Sequence, residues 1–245
     1  MSARITWATA LRVLTQLRRD PRTIVLLMGV PAFLLALLKG AFHQDPESFQ
    51  QVGGPLVGLF PFSTMFVVTS ITMLRERTTG TLERLMSLPL AKLDLLFGYG
   101  IAFALVAVVQ AVLTSAVAFG LLGLDVAGSS AAVVALAVGN ALLGMSLGLF
   151  VSAFARTEFQ AVQFMPAIVF PQLLLCGLFV PREKMAGVLQ TVSDALPLTY
   201  AFEALNRVTT LGSLGSRGKL DVIVISAATL LLLALGAVTL RRRTP

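Results

Sequence analysis

Six apolar stretches, at residues 23–38, 55–74, 95–122, 131–154, 159–180 and 220–240, constrain this chain more than any other feature of its sequence. A helix needs about 20 predominantly apolar residues to cross the hydrocarbon core of a bilayer. Five of the stretches reach that length, and the first, with Pro31 at its middle, falls slightly short. Pro166 and Pro171 interrupt the fifth, which a membrane helix tolerates because neighbouring helices satisfy the freed backbone groups. Only 13% of the residues are charged while 56% are hydrophobic. That is about half the charged share of a soluble domain, too little to clothe a soluble globule. The sequence therefore predicts one all-α integral membrane domain over residues 1–245 with six transmembrane helices.

The charges between the stretches orient the chain. The pI of about 10.5 would fit a nucleic-acid binder, but the basic residues flank apolar runs instead of forming a patch beside amphipathic elements, so no nucleic-acid partner is expected. With an even span count and the N-terminus inside, the inner segments receive Arg4, Arg12, Arg18, Arg19, Arg22, Arg75, Arg77, Arg84, Lys92, Arg156 and Arg241, Arg242 and Arg243. The outer ones hold Lys39, Arg182, Lys184, Arg207, Arg217 and Lys219, offset by Asp45, Glu47, Asp125, Glu183, Asp194, Glu203 and Asp221. This asymmetry obeys the positive-inside rule and predicts a multi-pass protein with both termini cytoplasmic. The basic N-terminal region is long and no small-residue cleavage site precedes His43 and Asp45, so it is expected to remain in the mature protein.

Three segments outside the spans are informative. Residues 1–22 contain a basic amphipathic pattern, with Ile5, Ala8, Leu11 and Leu14 near one face and Trp7 placed for headgroup depth, and predict an N-terminal interfacial helix ended by Pro21. Residues 75–90 combine charges with Leu82, Leu85 and Met86 on one helical face, predicting a cytoplasmic helix between spans 2 and 3. Residues 181–219 are long for a loop and rich in apolar side chains, predicting short external helices that dip back toward the membrane between spans 5 and 6.

Catalytic chemistry is absent. Apart from Asp221 at the outer edge of the last stretch, no ionisable residue lies within a span, which removes the usual carriers for proton or ion coupling. Gly144–Ser146–Gly148 fits G-x-S-x-G, but the one histidine, His43, is in a loop, so the glycines are read as a helix-packing face, as are Gly54 and Gly58. The glycine-rich stretch ending Gly218-Lys219 lacks the first glycine and the magnesium-binding hydroxyl of a phosphate loop, so this chain is expected to bind no nucleotide or other cofactor itself. One cysteine, Cys176, and one histidine build no zinc site, and Cys176 is read as a small packing residue. The spans do hold neutral polar groups. Thr64, Thr69, Gln110, Asn140, Gln163 and Gln172 are candidates for a weakly polar substrate path, against the simpler reading of interhelical hydrogen bonds, with Gln110 and Asn140 a candidate pair.

Residues 73–99, MLRERTTGTLERLMSLPLAKLDLLFGY, resemble a segment of the ABC type-2 transporter permeases, the group of daunorubicin-resistance-type drug exporters and of lipid and polysaccharide exporters. That family shows E-R-E-x-G-T-L-E-x-L there. The likeness continues in PQLLLCGLFVPREKM and LPLTYAFEALNRV within residues 170–208, and in RRDP before the first span. The resemblance implies that residues 75–90 are a coupling helix that docks on a separate ATP-binding subunit, through Arg75, Glu76, Arg77, Thr79, Gly80, Thr81, Leu82, Glu83, Arg84, Leu85 and Met86. It further implies two ATP-binding subunits per transporter, which carry ATP and Mg, and a second permease as a homo- or heterodimer partner. The setting implied is the lipid of a bacterial inner membrane, and the cargo an apolar or amphipathic molecule such as a drug, lipid or lipid-linked glycan. On this reading the chain is a transporter subunit and not an enzyme. A membrane-embedded assembly or scaffold protein without transport activity is the competing reading.

Overall fold

The computed structural model describes residues 2–79 and 92–239, and every regular element among them is helical. In chain order the helices are α1 (Ala3–Arg18), α2 (Pro21–Ala41), α3 (Pro46–Thr78) and α4 (Lys92–Ala116), which continues into a π-helical turn, Val117–Leu121. Next come α5 (Ser130–Ser152), α6 (Glu158–Phe164), a second π turn (Met165–Val169) and α7 (Phe170–Leu175). The remainder are α8 (Gly187–Asp194), α9 (Pro197–Leu211) and α10 (Gly215–Thr239).

Local chemistry sets the helix starts. Asp20 precedes Pro21 and accepts the Thr23 amide at 3.2 Å and its hydroxyl at 2.7 Å, while Asp45 precedes Pro46 and accepts the Ser48 amide at 3.2 Å. Each carboxylate satisfies an orphan N–H, and a proline at the first helical position has none to lose. Both carboxyls are held below the ordinary aspartate range, first by the side-chain hydroxyl that donates to them and then by the amide. The second helix end of note is Gly212, whose φ of +75° closes α9 in the left-handed conformation that glycine adopts freely.

Among the described residues five helices are long and apolar enough to cross a membrane: α2, α3, Phe97–Leu121 of α4 and its π turn, α5 and α10. The fifth sequence stretch differs from its expectation of one helix over 159–180. It divides into 7-, 5- and 6-residue pieces and ends at Leu175. Pro166 and Pro171 have no amide to donate to the preceding turn, and the chain widens into one π turn, Met165–Val169, which contains Pro166 and ends just before the α-helical turn that carries Pro171. The second stretch is longer than expected, because α3 runs 33 residues and takes in the charged loop around Glu47 as well as Arg75, Glu76 and Arg77.

α3 and α5 form the centre. In their most apolar windows 67% and 61% of residues are buried, against 17% for α2 and 11% for α10, which are therefore peripheral. Without a hydrophobic force between helices in lipid, close packing must hold them, and small residues let backbones approach. A Cβ on Gly144 would stand 2.8 Å from the Phe62 carbonyl carbon, and one on Gly148 would collide with the Phe66 carbonyl oxygen. Thr69 reinforces the seam by donating to the Met145 carbonyl at 3.2 Å. The expected packing role of both glycines holds, and Ser146, between them, is buried and donates to the Leu143 carbonyl at 2.8 Å. Gly54 and Gly58 also pack, against Thr209 and Leu205 of α9, so the 181–219 segment does fold into helices whose apolar face (Leu198, Ala201, Leu205, Val208) lies on the core. Cys176 is fully buried, as a packing residue should be.

Candidate functional site

The end of α3 leads into residues 80–91, and its last turn is where the sequence places the start of the docking helix. Successive helical residues point about 100° apart. Arg75, Glu76 and Arg77 therefore radiate toward three different neighbours. Arg75 reaches α6 and grips Glu158 with both ends of its fork, Nε to Oε1 at 2.7 Å and Nη2 to Oε2 at 2.9 Å. The Arg75 hydrogen bonds hold the Glu158 carboxyl below its usual range. Arg77 donates from Nη1 to the Ser152 carbonyl at 2.6 Å, satisfying the C-terminal end of α5, where a cation also suits the helix dipole.

Glu76 points inward and is 3% exposed. Its Oε2 accepts Arg12 Nη2 from α1 at 2.9 Å and the Tyr99 hydroxyl from α4 at 2.7 Å. Arg12 also donates to the Tyr99 oxygen at 2.5 Å, and its guanidinium sits 5.8 Å from the Tyr99 ring centroid. A buried carboxylate is tolerable only with a cation and further hydrogen bonds on it, and this closed triangle supplies both. α1 is drawn close by Gly98 of α4, where a Cβ would lie 2.5 Å from Thr9 Cβ and 2.8 Å from the Thr6 carbonyl. Asp94, 2% exposed, accepts the Ser2 amide at 3.0 Å beside that contact. Four helices and the N-terminal segment are thus tied to the root of one connection.

These contacts correct several expectations. Glu76, expected on a docking surface, is turned into the bundle, because its neighbours offer a cation that solvent exposure would waste. The N-terminal helix does not bury the face of Ile5, Ala8, Leu11 and Leu14; Thr9, Ala10 and Val13 pack on α4, leaving Trp7 and Leu11 exposed on the other side. Thr79 donates to the Arg75 carbonyl at 2.7 Å. Gly80, Thr81, Leu82, Glu83, Arg84, Leu85 and Met86 lie outside the described residues.

The candidate substrate-path residues do not converge. Gln110 and Thr64 meet, the Gln110 amide donating to the Thr64 hydroxyl and to the Leu27 carbonyl at 2.8 Å. Gln110 and Asn140 do not pair: the Asn140 amide nitrogen is buried with no hydrogen-bond partner among the described residues and faces Gly58. Thr69 is buried on the α3–α5 seam, Gln172 of α7 donates to the Ile168 carbonyl of the preceding π turn at 3.2 Å, and Gln163 is exposed on α6. Most of these groups satisfy interhelical or intrahelical needs. Among the described residues no cluster of His, Cys, Asp and Glu could hold a metal ion.

Sequence reasoning missed Arg12, Tyr99, Asp94 and Gly98. Their only signal is local: an arginine on a helix that also carries a threonine-alanine face, and a tyrosine seven residues beyond Lys92. The Glu76 contacts bridge 64 and 23 positions of sequence, beyond any local pattern.

The chain matches the model of the ABC-2 type transporter family over residues 5–208. It is similar to ABC transporter G family member 20 of Dictyostelium discoideum, 28% identical over 153 residues, covering 62% of this chain and 21% of that protein. It is also similar to the probable multidrug ABC transporter permease YbhR of Escherichia coli (strain K12), 28% identical over 145 residues, 59% of this chain and 39% of that one. A third relative is the linearmycin resistance permease protein LnrN of Bacillus subtilis (strain 168), 25% identical over 152 residues, 60% of this chain and 39% of that one. The chain thus aligns with between a fifth and two fifths of the length of these relatives. With most of its length matched by the family model and its long apolar helices in place, this chain belongs to the ABC-2 type transporter family.

Proposed function

We propose that this chain is the permease half of an ATP-driven exporter, and that residues 75–90 dock a separate ATP-binding subunit. The observation that carries the reading is the knot at the root of that segment. Arg75, Glu76 and Arg77 link it to α6, to α1 and α4, and to α5, so a force applied there reaches every inner helix at once. A loop that only joined two spans would have no need of such anchorage. Two ATP-binding subunits, carrying ATP and Mg, would act on a pair of permeases in a bacterial inner membrane, and closure of the ATPases would shift the pair between states. The topology is six spans with both termini cytoplasmic: α6, its π turn and α7 form the broken fifth span, and α8 and α9 the external re-entrant region. Apart from the carboxylates Glu76, Asp94 and Asp221 near the helix ends, the buried polar side chains are neutral, which favours an apolar or amphipathic cargo over an ion. The relatives named for multidrug transport and linearmycin resistance support the same class.

The experiment is co-purification with a candidate ABC ATP-binding subunit co-expressed with the chain. Leu82→Asp with Leu85→Asp should abolish ATPase recovery and substrate-stimulated ATP hydrolysis in vesicles while leaving membrane insertion intact. Retained binding and transport in that double variant would overturn the docking assignment.

A further inference from the structure

We propose that a cavity between α4 and α10 is a binding site for the hydrocarbon chain of a bilayer lipid. The cavity measures about 700 Å³ and is walled by α4 (Tyr99, Gly100, Ala104), α5 (Leu142, Met145) and α10 (Leu233). That is the size range of small-molecule pockets, about 300–1,000 Å³. Its lining holds two hydroxyls, and both are already committed: Tyr99 donates to Glu76 at 2.7 Å and Thr229 to the Ile225 carbonyl at 2.8 Å. No lining residue carries a charge. A stably held water needs two to four polar partners, and a polar ligand would lose its hydration without compensation. Only an apolar occupant matches.

The position of the cavity selects the source. α10 is 11% buried in its most apolar window, so the gap beside it opens to the medium around the bundle, which for membrane-spanning helices is lipid. Leu230 and Phe97, 67% and 50% exposed, flank the opening. The α10 wall runs from Thr229 to Ala237, about 12 Å at 1.5 Å per residue, along the direction in which acyl chains lie. Met73 of α3 also reaches the cavity, which places it in the half of the bundle that holds the Glu76 knot. An acyl chain seated there packs on the Tyr99 ring whose hydroxyl completes that knot. Bilayer lipid thereby becomes a structural part of the unit that holds the end of α3.

The inference rests on the membrane-spanning reading, and not on export or on an ATPase partner. The test is photolabelling of the full chain in nanodiscs of phosphatidylethanolamine and phosphatidylglycerol that carry a diazirine in mid-chain, followed by peptide mapping. Label should concentrate on residues 97–104 and 229–237 above the level on the exposed face of α2 (Val25, Leu26, Phe33). Gly100 lines the cavity and has nothing within 4 Å of where a Cβ would stand, so Gly100→Leu adds bulk there, and Ala234→Phe fills it from the opposite wall. Each should lower the label on both peptides to the level on α2, since the outer faces of α4 and α10 still meet lipid, whereas Gly139→Leu, with open space on α5 away from the cavity, should change nothing. Even labelling around the bundle, an excess of label that survives both filling variants, or crosslinks to a second copy at these positions would overturn the proposal. Loss of label on α2 as well, in the unaltered protein, would strike the membrane-spanning reading itself and this inference with it. Should one filling variant fail to fold, the other and the labelling pattern of the unaltered chain decide.

Discussion

Neutralising the Glu76 knot should loosen α1 before anything else. Glu76→Gln keeps the shape and an acceptor for Tyr99 but removes the charge that Arg12 faces. Breaking a fully buried ion pair costs about 3–5 kcal/mol, and an exposed one is worth about 0.2–1 kcal/mol. Here Glu76 is 3% exposed and Arg12 34%, so water can recover part of the guanidinium's solvation. The expected coupling is therefore intermediate, about 2 kcal/mol. It is measured by a double-mutant cycle of Glu76→Gln and Arg12→Met, with unfolding followed in detergent micelles. Trp7, the one tryptophan in the chain, is on α1, so its emission reports detachment of that helix directly. Both single variants should show an early Trp7 transition, and the double variant should be less destabilised than the sum. The coupling should survive raised salt, because a buried pair is poorly screened. Additivity of the two single effects within about 0.5 kcal/mol would refute the reasoning.

Other outcomes follow from the same geometry. Gly144→Ala should destabilise by about 1–3 kcal/mol, since its Cβ meets the Phe62 backbone and no rotamer can move it, while Gly139→Ala on the same helix, with nothing within 4 Å, should be neutral or slightly stabilising. Equal thermal shifts for the two would count against the α3–α5 packing. Asp45 has a lowered carboxyl pKa, so its capping contribution is fully present above the unfolded value of about 3.9 and disappears as pH falls through the lower folded value. An acid titration of the melting temperature should show the unaltered chain losing its advantage over Asp45→Asn only in that acidic window. Gln110→Leu should change stability by less than about 1 kcal/mol, because it gives up modest bonds but also removes a buried amide oxygen that has no partner among the described residues. A larger loss in a chemical unfolding series would mean that Gln110 does more than join α2, α3 and α4.

Much of the architecture is legible in the residues because its causes are local. Helix length and apolarity are properties of a contiguous stretch, so α2, α3, α4, α5 and α10 are recognisable from 20-residue windows, and Asp-Pro at 20–21 and 45–46 marks two helix starts. The glycine pair at 144 and 148 announces a close seam through its spacing alone. The motif around residues 75–90 places the chain among its relatives without any coordinates. Where a proline falls eight residues beyond a helix start, as Pro166 does after Glu158, a break is foreseeable but its form is not. The widened turn depends on which neighbouring carbonyls are free.

The contacts at the candidate site belong to tertiary structure. By sequence, Glu76, Asp94 and Asp221 are charges at the edges of apolar runs and would face water; folding buries all three. Burial of a carboxylate is decided by whether a cation or donor arrives from elsewhere in the chain, and Arg12, Tyr99 and the Ser2 amide arrive across 64, 23 and 92 positions. The same holds for Gln110, which pairs with Thr64 and the α2 backbone and not with Asn140, because helix rotation, set by packing, determines which polar groups meet. Sequence alone determined that this chain must be a bundle of membrane helices with a charged connection after the second; only the packing of α1, α4, α5 and α6 around the end of α3 decided how that connection is anchored, since an ion pair forms where two side chains are brought within 3 Å and no local pattern encodes that distance.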